Sequence, residues 1–435
     1  MRKMKRSPWL GVLGVLLAGA AIVGAAQRAR ADVTTDDAGS IVIYPKVISD
    51  GTRDTLIQLS SRSNMPAFVH CFYINTAGRC STTTTQTCRL DRDCPAAETC
   101  VRTCSENDFD VILTAQQPTM WRASTGRLES QNPGPCRIGQ TCTCTTDIVS
   151  GQQVCPGLEL SLGGGNNATY APPVGTEFEG ELKCYQTDGN GFPVAGNALK
   201  GAATLETQPS GQTSEYNALT ISANADPVHG VNQGQDLQLN FSGSGIGEYN
   251  YCPANLVFTH HANQAVDAFS NATVSTEITL VPCTELIEER VPTPVKVSIV
   301  GYNEFEQSLS FDAISFDCYF SRSLADIPTD GGGAFDAMGG MLWKTRVTPS
   351  SSNICLTGPN RGLTCSTDAD CDTMTGTHLT SPEGMSLGCR PSPGVLGVVE
   401  EFYSSGGQVG TAASNVFTEG QRSGLGDVIV VPSLQ

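Results

Sequence analysis

Nucleophilic catalysis needs a serine or cysteine beside a histidine base, and this sequence offers few places for one. Its five histidines are His70, His229, His260, His261 and His378. Ser244 stands between Gly243 and Gly245, but Ser242 occupies the position where a G-x-S-x-G elbow needs its first glycine. His260 and His261 are adjacent, and neighbouring residues of a strand point to opposite faces, so the two are not expected to share a metal. His70 precedes Cys71 in a strongly apolar stretch and reads as a surface or edge side chain of a strand. Glycoside hydrolysis would need two carboxylates in a cleft, and 43 acidic residues single out no pair. H-E-x-x-H is absent, and Gly243-Ser244-Gly245-Ile246-Gly247 is not followed by a helical pattern that would cradle a phosphate. Trp121 and Trp343 are expected in the core rather than on a sugar-stacking surface.

The cysteines carry more information. Eighteen is an even number, and twelve fall in three tight groups. These are Cys80, Cys88, Cys94 and Cys100; Cys136, Cys142, Cys144 and Cys155; and Cys355, Cys365, Cys371 and Cys389. The first and third groups share the pattern T-C-x-x-D-x-D-C, at Thr87–Cys94 and Thr364–Cys371. The second begins with Thr141-Cys142 and then diverges. Each group is too short to fold on a core of its own, which predicts a knob held by two disulfides, each worth on the order of 3 kcal/mol in the chain-entropy model. Zinc is the rival use of four cysteines, but C-x5-C is wider than the usual zinc pairs, and exported thiols oxidise. The calcium candidates are Asp368, Asp370 and Asp372. An EF-hand loop counted from Asp368 would need Gly at its sixth position and an acid at its twelfth, where Thr373 and Leu379 stand, so Asx turns account for these residues better.

Six cysteines remain for the scaffold. Cys71 and Cys104 flank the first knob and are expected to pair across its base. Cys252 and Cys283 are expected to pair likewise, which leaves Cys184 for Cys318.

Oxidation presupposes export, and the N-terminus reads as a secretory signal. Arg2, Lys3, Lys5 and Arg6 precede an apolar stretch from Trp9 to Ala26, and Ala29-Arg30-Ala31 forms a small-x-small cleavage site before Asp32. The stretch is shorter than the roughly 20 residues that span a bilayer, no later run approaches that length, and no cysteine marks a lipid anchor. Cleavage removes six of the 26 basic residues and none of the 43 acidic ones, which leaves a net charge of −23. Such a charge argues against nucleic acid and anionic membranes as partners.

Something must position the knobs, and the pattern for it is all-β. Val295, Val297 and Ile299 alternate with polar neighbours, as do Ile314, Phe316, Cys318 and Phe320; Leu182 and Cys184; and Leu237, Leu239 and Phe241. Period-two alternation is that of strands with one buried face, as in antiparallel sandwiches. The best helical candidate is short, Glu285 to Arg290. A strand, a turn and a second strand ending in Asn occur twice, at Thr55–Asn75 and Thr276–Asn303. The expected architecture is two antiparallel β-sandwich, Ig-like domains. They would occupy residues 32–245 and 246–435 after a signal peptide at 1–31, with Cys-rich insertions near 79–104, 135–156 and 354–390.

The segments Gly51–Leu59, His70–Asn75, Leu113–Pro118, Gly180–Cys184 and Tyr302–Gln307 resemble a group of uncharacterised secreted bacterial proteins with β-sandwich-like domains, in which the Cys knobs would be extra loops. The resemblance implies no activity. The expected function is therefore a secreted, cell-surface or periplasmic structural or interaction protein, not an enzyme, with an unknown protein or glycan partner and no cofactor. A carbohydrate- or calcium-binding module is the first alternative and a hydrolase with an acidic pair the second. An outer-membrane barrel is disfavoured by the Cys-rich loops and the Pro432–Gln435 tail.

Overall fold

The computed structural model describes residues 33–430 apart from 89–90, 103, 117, 128–144, 147–152, 155–170, 209, 225–236, 240–247, 287–292, 312, 328–340, 357, 372–387 and 423–426. Residues 1–32, with the expected signal peptide, and the second Cys group, with Cys136, Cys142, Cys144 and Cys155, lie outside these residues. So do Asp372, His229, His378 and Phe241. Residues Asp32–Gln435 make one compact unit.

The chain is almost entirely β. In the first half, β1 (Val33–Thr34), β2 (Ile41–Ser49), β3 (Arg53–Ser61), β4 (Ala67–Asn75), β5 (Ser105–Leu113), β6 (Pro118–Arg122), β7 (Phe178–Thr187), β8 (Leu199–Thr207), β9 (Gln212–Asn217) and β10 (Leu219–Ile221) build two facing antiparallel sheets. Their orders are β1-β10-β2-β7-β4-β5 and β9-β8-β3-β6. Tyr44, Ile57, Leu59, Tyr73, Trp121, Leu182 and Leu205 fill the space between them, with the Trp121 indole N–H donating to the Tyr73 hydroxyl at 2.6 Å.

The second half repeats this plan. It comprises β11 (Pro253–His261), β12 (Thr273–Pro282), β13 (Pro294–Asn303), β14 (Ser308–Ser310), β15 (Ile314–Asp317), β16 (Phe320–Ser323), β17 (Leu342–Pro349), β18 (Val395–Ser405), β19 (Gln408–Asn415) and β20 (Phe417–Gln421). One sheet runs β14-β13-β17-β11-β20 with β15 also on β13; the other contains β12-β18-β19 with β16 on β12. Read in chain order, β10-β2-β7-β4-β5 corresponds to β20-β11-β17-β13-β14, and β9-β8-β3-β6 to β19-β18-β12-β16. Both halves even end the equivalent strands β4 and β13 alike. Asn75 accepts from the Ala77 N–H at 3.0 Å, and Asn303 accepts from the Phe305 N–H at 3.1 Å. One core slot shows how the copies diverge: β4 and β7 place Cys71 opposite Cys184, whereas β13 and β17 place Ile299 opposite Val347.

That register corrects two expected pairings. Cys71 bonds Cys184, its direct cross-strand neighbour, not Cys104. Cys104 bonds Cys318, across 214 residues and from one half to the other, which also removes Cys318 from Cys184. Cys252 bonds Cys283. Cys104 and Cys318 both sit at positive φ, 49° and 47°, a conformation costing roughly 1–2 kcal/mol per non-glycine residue. At Cys318 this kink also ends the alternation expected to run on to Phe320, so β15 stops at Asp317. The helical candidate starts as a strand instead, because Glu285–Leu286 pairs in parallel with the C-terminal Val428–Val430.

Alternation also misjudges β7. Glu181 and Lys183, expected in solvent, are buried and bond each other at 3.1 Å. Every residue of β2 and β7 is buried, because their sheet is covered on its outer face too. Tyr249, Cys252, Cys283, Tyr319, Leu396 and Ile429 lie there against Ile41, Ile43, Phe72 and Leu219.

The halves also share a buried ion cluster. The strand register shifts between Gly180 and Leu182, so that Pro45 and Lys46 of β2 stand opposite Glu181 alone, a β-bulge; Lys46 is fully buried. Its fully buried ammonium binds Glu277 of β12 and lies 2.8 Å from Glu400 of β18. Arg53 of β3 binds Glu400 as well, and Ser214 donates to Glu400 at 3.1 Å. Burial alone would lower the Lys46 pKa, but the two carboxylates raise it overall. For Glu400 burial opposes ionisation, yet Lys46 and Arg53 hold its pKa below the usual carboxylate range. Removing one partner strands a buried charge, which costs about 3–5 kcal/mol. Lys46→Ala should therefore lose about 3 kcal/mol in denaturant unfolding, while exposed Lys344→Ala should change stability by under about 0.5 kcal/mol; equal effects would contradict this role.

Candidate binding clefts around the first knob

The first and third Cys groups form the same small module. Gly78–Cys80 pairs with Cys100–Arg102, and Asn353–Cys355 with Cys389–Pro391. A helical turn follows the second cysteine, at Asp91–Asp93 and at Asp368–Cys371. Connectivity is first-to-third and second-to-fourth in each: Cys80–Cys94 with Cys88–Cys100, and Cys355–Cys371 with Cys365–Cys389. Three sulfurs of each knob lie within 4.8 Å of one another, a spacing a metal could use. Their oxidation to disulfides leaves no thiolate to ligate one. Only glycine fits at position 78, where a Cβ would meet the Cys100 sulfur at 2.5 Å.

The repeated aspartates hold these folds. Asp91 accepts from the Cys100 N–H at 2.8 Å, and Asp368 accepts from the Cys389 N–H at 2.7 Å. Each thus fastens the turn to the fourth cysteine. Asp370 accepts from the Ser366 and Thr367 N–H groups, both at 2.8 Å, and these bonds lower its pKa. Two of the three calcium candidates are thereby engaged with backbone.

Each knob replaces a turn of the scaffold. Residues 76–104 connect β4 to β5, where residues 304–307 suffice between β13 and β14. Residues 350–394 connect β17 to β18, where residues 188–198 join β7 to β8. Both knobs reach the same strip of the second half, residues 314–327. From the first knob, Arg92 binds Asp326 at 2.7 Å, and the Arg102 guanidinium lies 5.6 Å from the Tyr319 ring centre. From the third, Arg361 lies 3.5 Å from Asp317. Exposed pairs of this kind contribute little energy each; the Cys104–Cys318 bond at the knob's base is what fixes the approach.

The first knob consequently walls two clefts, both where the halves meet, a common place for ligand sites. One, of about 500 Å³, lies between Asp91, Cys100–Arg102 and the strip from Ala313 to Ile327. The other, of about 890 Å³, lies between Gly78, Cys88 and Asp93 of the knob, the Asp50–Arg53 turn, Thr176–Glu179, Glu277 and Phe402. Its described lining carries five carboxylates, from Asp50, Asp93, Glu177, Glu179 and Glu277, against Arg53 alone. Arg53 already binds Glu400 and lies 5.6 Å from the Phe402 ring centre.

The three described histidines, His70, His260 and His261, are not among the residues lining either cleft. His260 is buried and contacts the Thr345 hydroxyl at 2.9 Å; burial pushes its pKa down to about 4. His261 points elsewhere and contacts Glu401 at 3.0 Å, which also accepts from the Tyr403 hydroxyl at 2.7 Å. His70 is not at a sheet edge: β4 lies between β7 and β5, and its ring sits 2.9 Å from Asp110 and 3.8 Å from Asp108, with Tyr185 beside it. Burial would lower its pKa, but bonding to the two carboxylates raises it to about 9. Arg102, Arg322 and the strip's role as a cleft wall have no sequence signal, since a disulfide across 214 residues brings them together.

Two outcomes test these contacts. A histidine whose pKa rises on folding adds stability that is complete below about 6.5 and lost as pH climbs towards 9. Wild-type stability should thus fall by on the order of 2 kcal/mol across that window, and His70→Gln should flatten the slope. Asp368→Ala should speed reduction of the third knob's disulfides relative to Cys71–Cys184, read by alkylation and mass spectrometry; unchanged rates would count against the clasp. Compared with known proteins, the sequence matches no protein family and no curated protein.

Proposed function

We propose that this chain is an exported, non-enzymatic structural or interaction protein, a rigid platform that captures its partner on the loop surface built by the knobs around residues 314–327. Convergence of both knobs on one strip, through Arg92–Asp326 and Arg361–Asp317, is the observation that supports this most. Loops set on a stiff scaffold are where binding residues usually lie, and the disulfide and ion cluster joining the halves supply that stiffness. Export fits seven disulfides among the described residues, since such bonds persist in oxidising compartments. No helix among the described residues is long and apolar enough to cross a membrane.

The test pairs location with capture. The mature protein should begin at Asp32 by N-terminal sequencing of material outside the cytoplasm. Crosslinking on intact producing cells should give a defined adduct with the wild type. A variant with residues 355–389 replaced by a short turn should lose the adduct while keeping its melting temperature. An adduct that survives the replacement would rule the third knob out of capture.

A further inference from the structure

The smaller cleft carries two arginines whose surroundings differ from those of its acids. Asp326 is bound by Arg92 at 2.7 Å, Asp317 faces Arg361 at 3.5 Å, and Asp91 accepts from the Cys100 N–H at 2.8 Å. All three therefore have partners. Arg322 is half-buried, and among the described residues its guanidinium makes no hydrogen bond or ion pair; it lies 5.6 Å from the Phe320 ring centre. Arg102 donates to the Thr76 carbonyl at 2.9 Å and lies against Tyr319, leaving further donors of its five-donor fork. Burial first, and then the neighbouring Arg102 guanidinium, lower the Arg322 pKa, while Asp326 and Asp91 act in the opposite direction; the guanidinium stays charged. Ile314, Phe316 and Phe320 supply apolar wall beside these charges.

We propose that this cleft binds a small organic anion, its carboxylate or sulfonate head held by Arg322 and Arg102 and its apolar body against Phe316, Phe320 and Ile314. Guanidinium forks match planar oxyanions and stack well on rings. A volume of about 500 Å³ falls within the roughly 300–1,000 Å³ of small-molecule sites. The inference rests on reading the strip as the binding surface and names the chemistry it takes. Neither an inorganic anion alone nor a neutral apolar molecule satisfies both parts of the cleft.

The probes are 8-anilinonaphthalene-1-sulfonate, followed by fluorescence on the folded full chain, and decanoate, 1-decanol and inorganic sulfate as competitors. The sulfonate should bind at one site and be displaced by decanoate but not by sulfate or decanol at equal concentration. Arg322→Gln should weaken it by about tenfold or more, as loss of a charge-assisted fork predicts, with an unchanged melting temperature. Arg322→Lys, which keeps the charge without the fork, should bind more weakly than wild type but better than Arg322→Gln. Exposed Arg346→Gln should bind like the wild type. Equal affinity in wild type and Arg322→Gln, displacement by decanol, or no binding of the probe would overturn the proposal. Capture on cells that depends on residues 355–389 without anion binding would overturn this ligand class and leave the platform reading standing. Anion binding without capture would do the reverse.

Discussion

An ammonium group sealed from water must have its charge met by carboxylates within the protein, and Lys46 obtains them from the other half of the chain. Neither half can hold its share of that cluster alone. Without β12 and β18, Lys46 loses both its carboxylates; without β2 and β3, Glu277 and Glu400 lose their counter-charges. Lys46 belongs to a strand of the first sheet, yet both its carboxylates lie in the second sandwich. The apolar cover on the outer face of β2 and β7 follows the same logic. A sheet buried on both sides needs the partner half as much as it needs its own facing sheet. The two repeats therefore form one compact body, and the clefts beside the first knob lie where they meet.

The parts of this architecture that depend on local order are legible in the sequence. Val295, Val297 and Ile299 alternate and are buried as alternation requires. The Thr55–Asn75 and Thr276–Asn303 segments resemble one another and occupy equivalent strands. The T-C-x-x-D-x-D-C pattern marks two modules with one connectivity. What depends on distant chain is not legible. Glu181 and Lys183 read as solvent-facing because nothing nearby announces a second cover over β7. Cys104 reads as the partner of Cys71 because the two flank a knob, whereas register sends Cys71 to Cys184 and the junction sends Cys104 to Cys318. The cleft arginines share that difficulty: Arg102 and Arg322 are unremarkable until the halves are joined.

The knobs show how a turn can be enlarged without cost to the sheets. Each stands on a short strand pair, is closed by two disulfides and is clasped by an aspartate on the backbone of its last cysteine. Its stability is internal, so β4 and β5 still pair much as β13 and β14 do across four residues. Surface is added where the scaffold needs none, which separates the residues that hold the fold from those that build the added surface.

The cross-strand bond between Cys71 and Cys184 has a temporal side. A ribosome delivers Cys71 long before Cys184, and nine other cysteines emerge between them. Oxidation in order of appearance would join Cys71 to Cys80 and leave β4 without its native neighbour. Cys104 waits longer still, because Cys318 is 214 residues away. The finished molecule therefore depends either on withholding oxidant until the chain is complete or on a thiol exchanger that undoes the early mistakes, and its yield is set by that editing as well as by the strength of its cores.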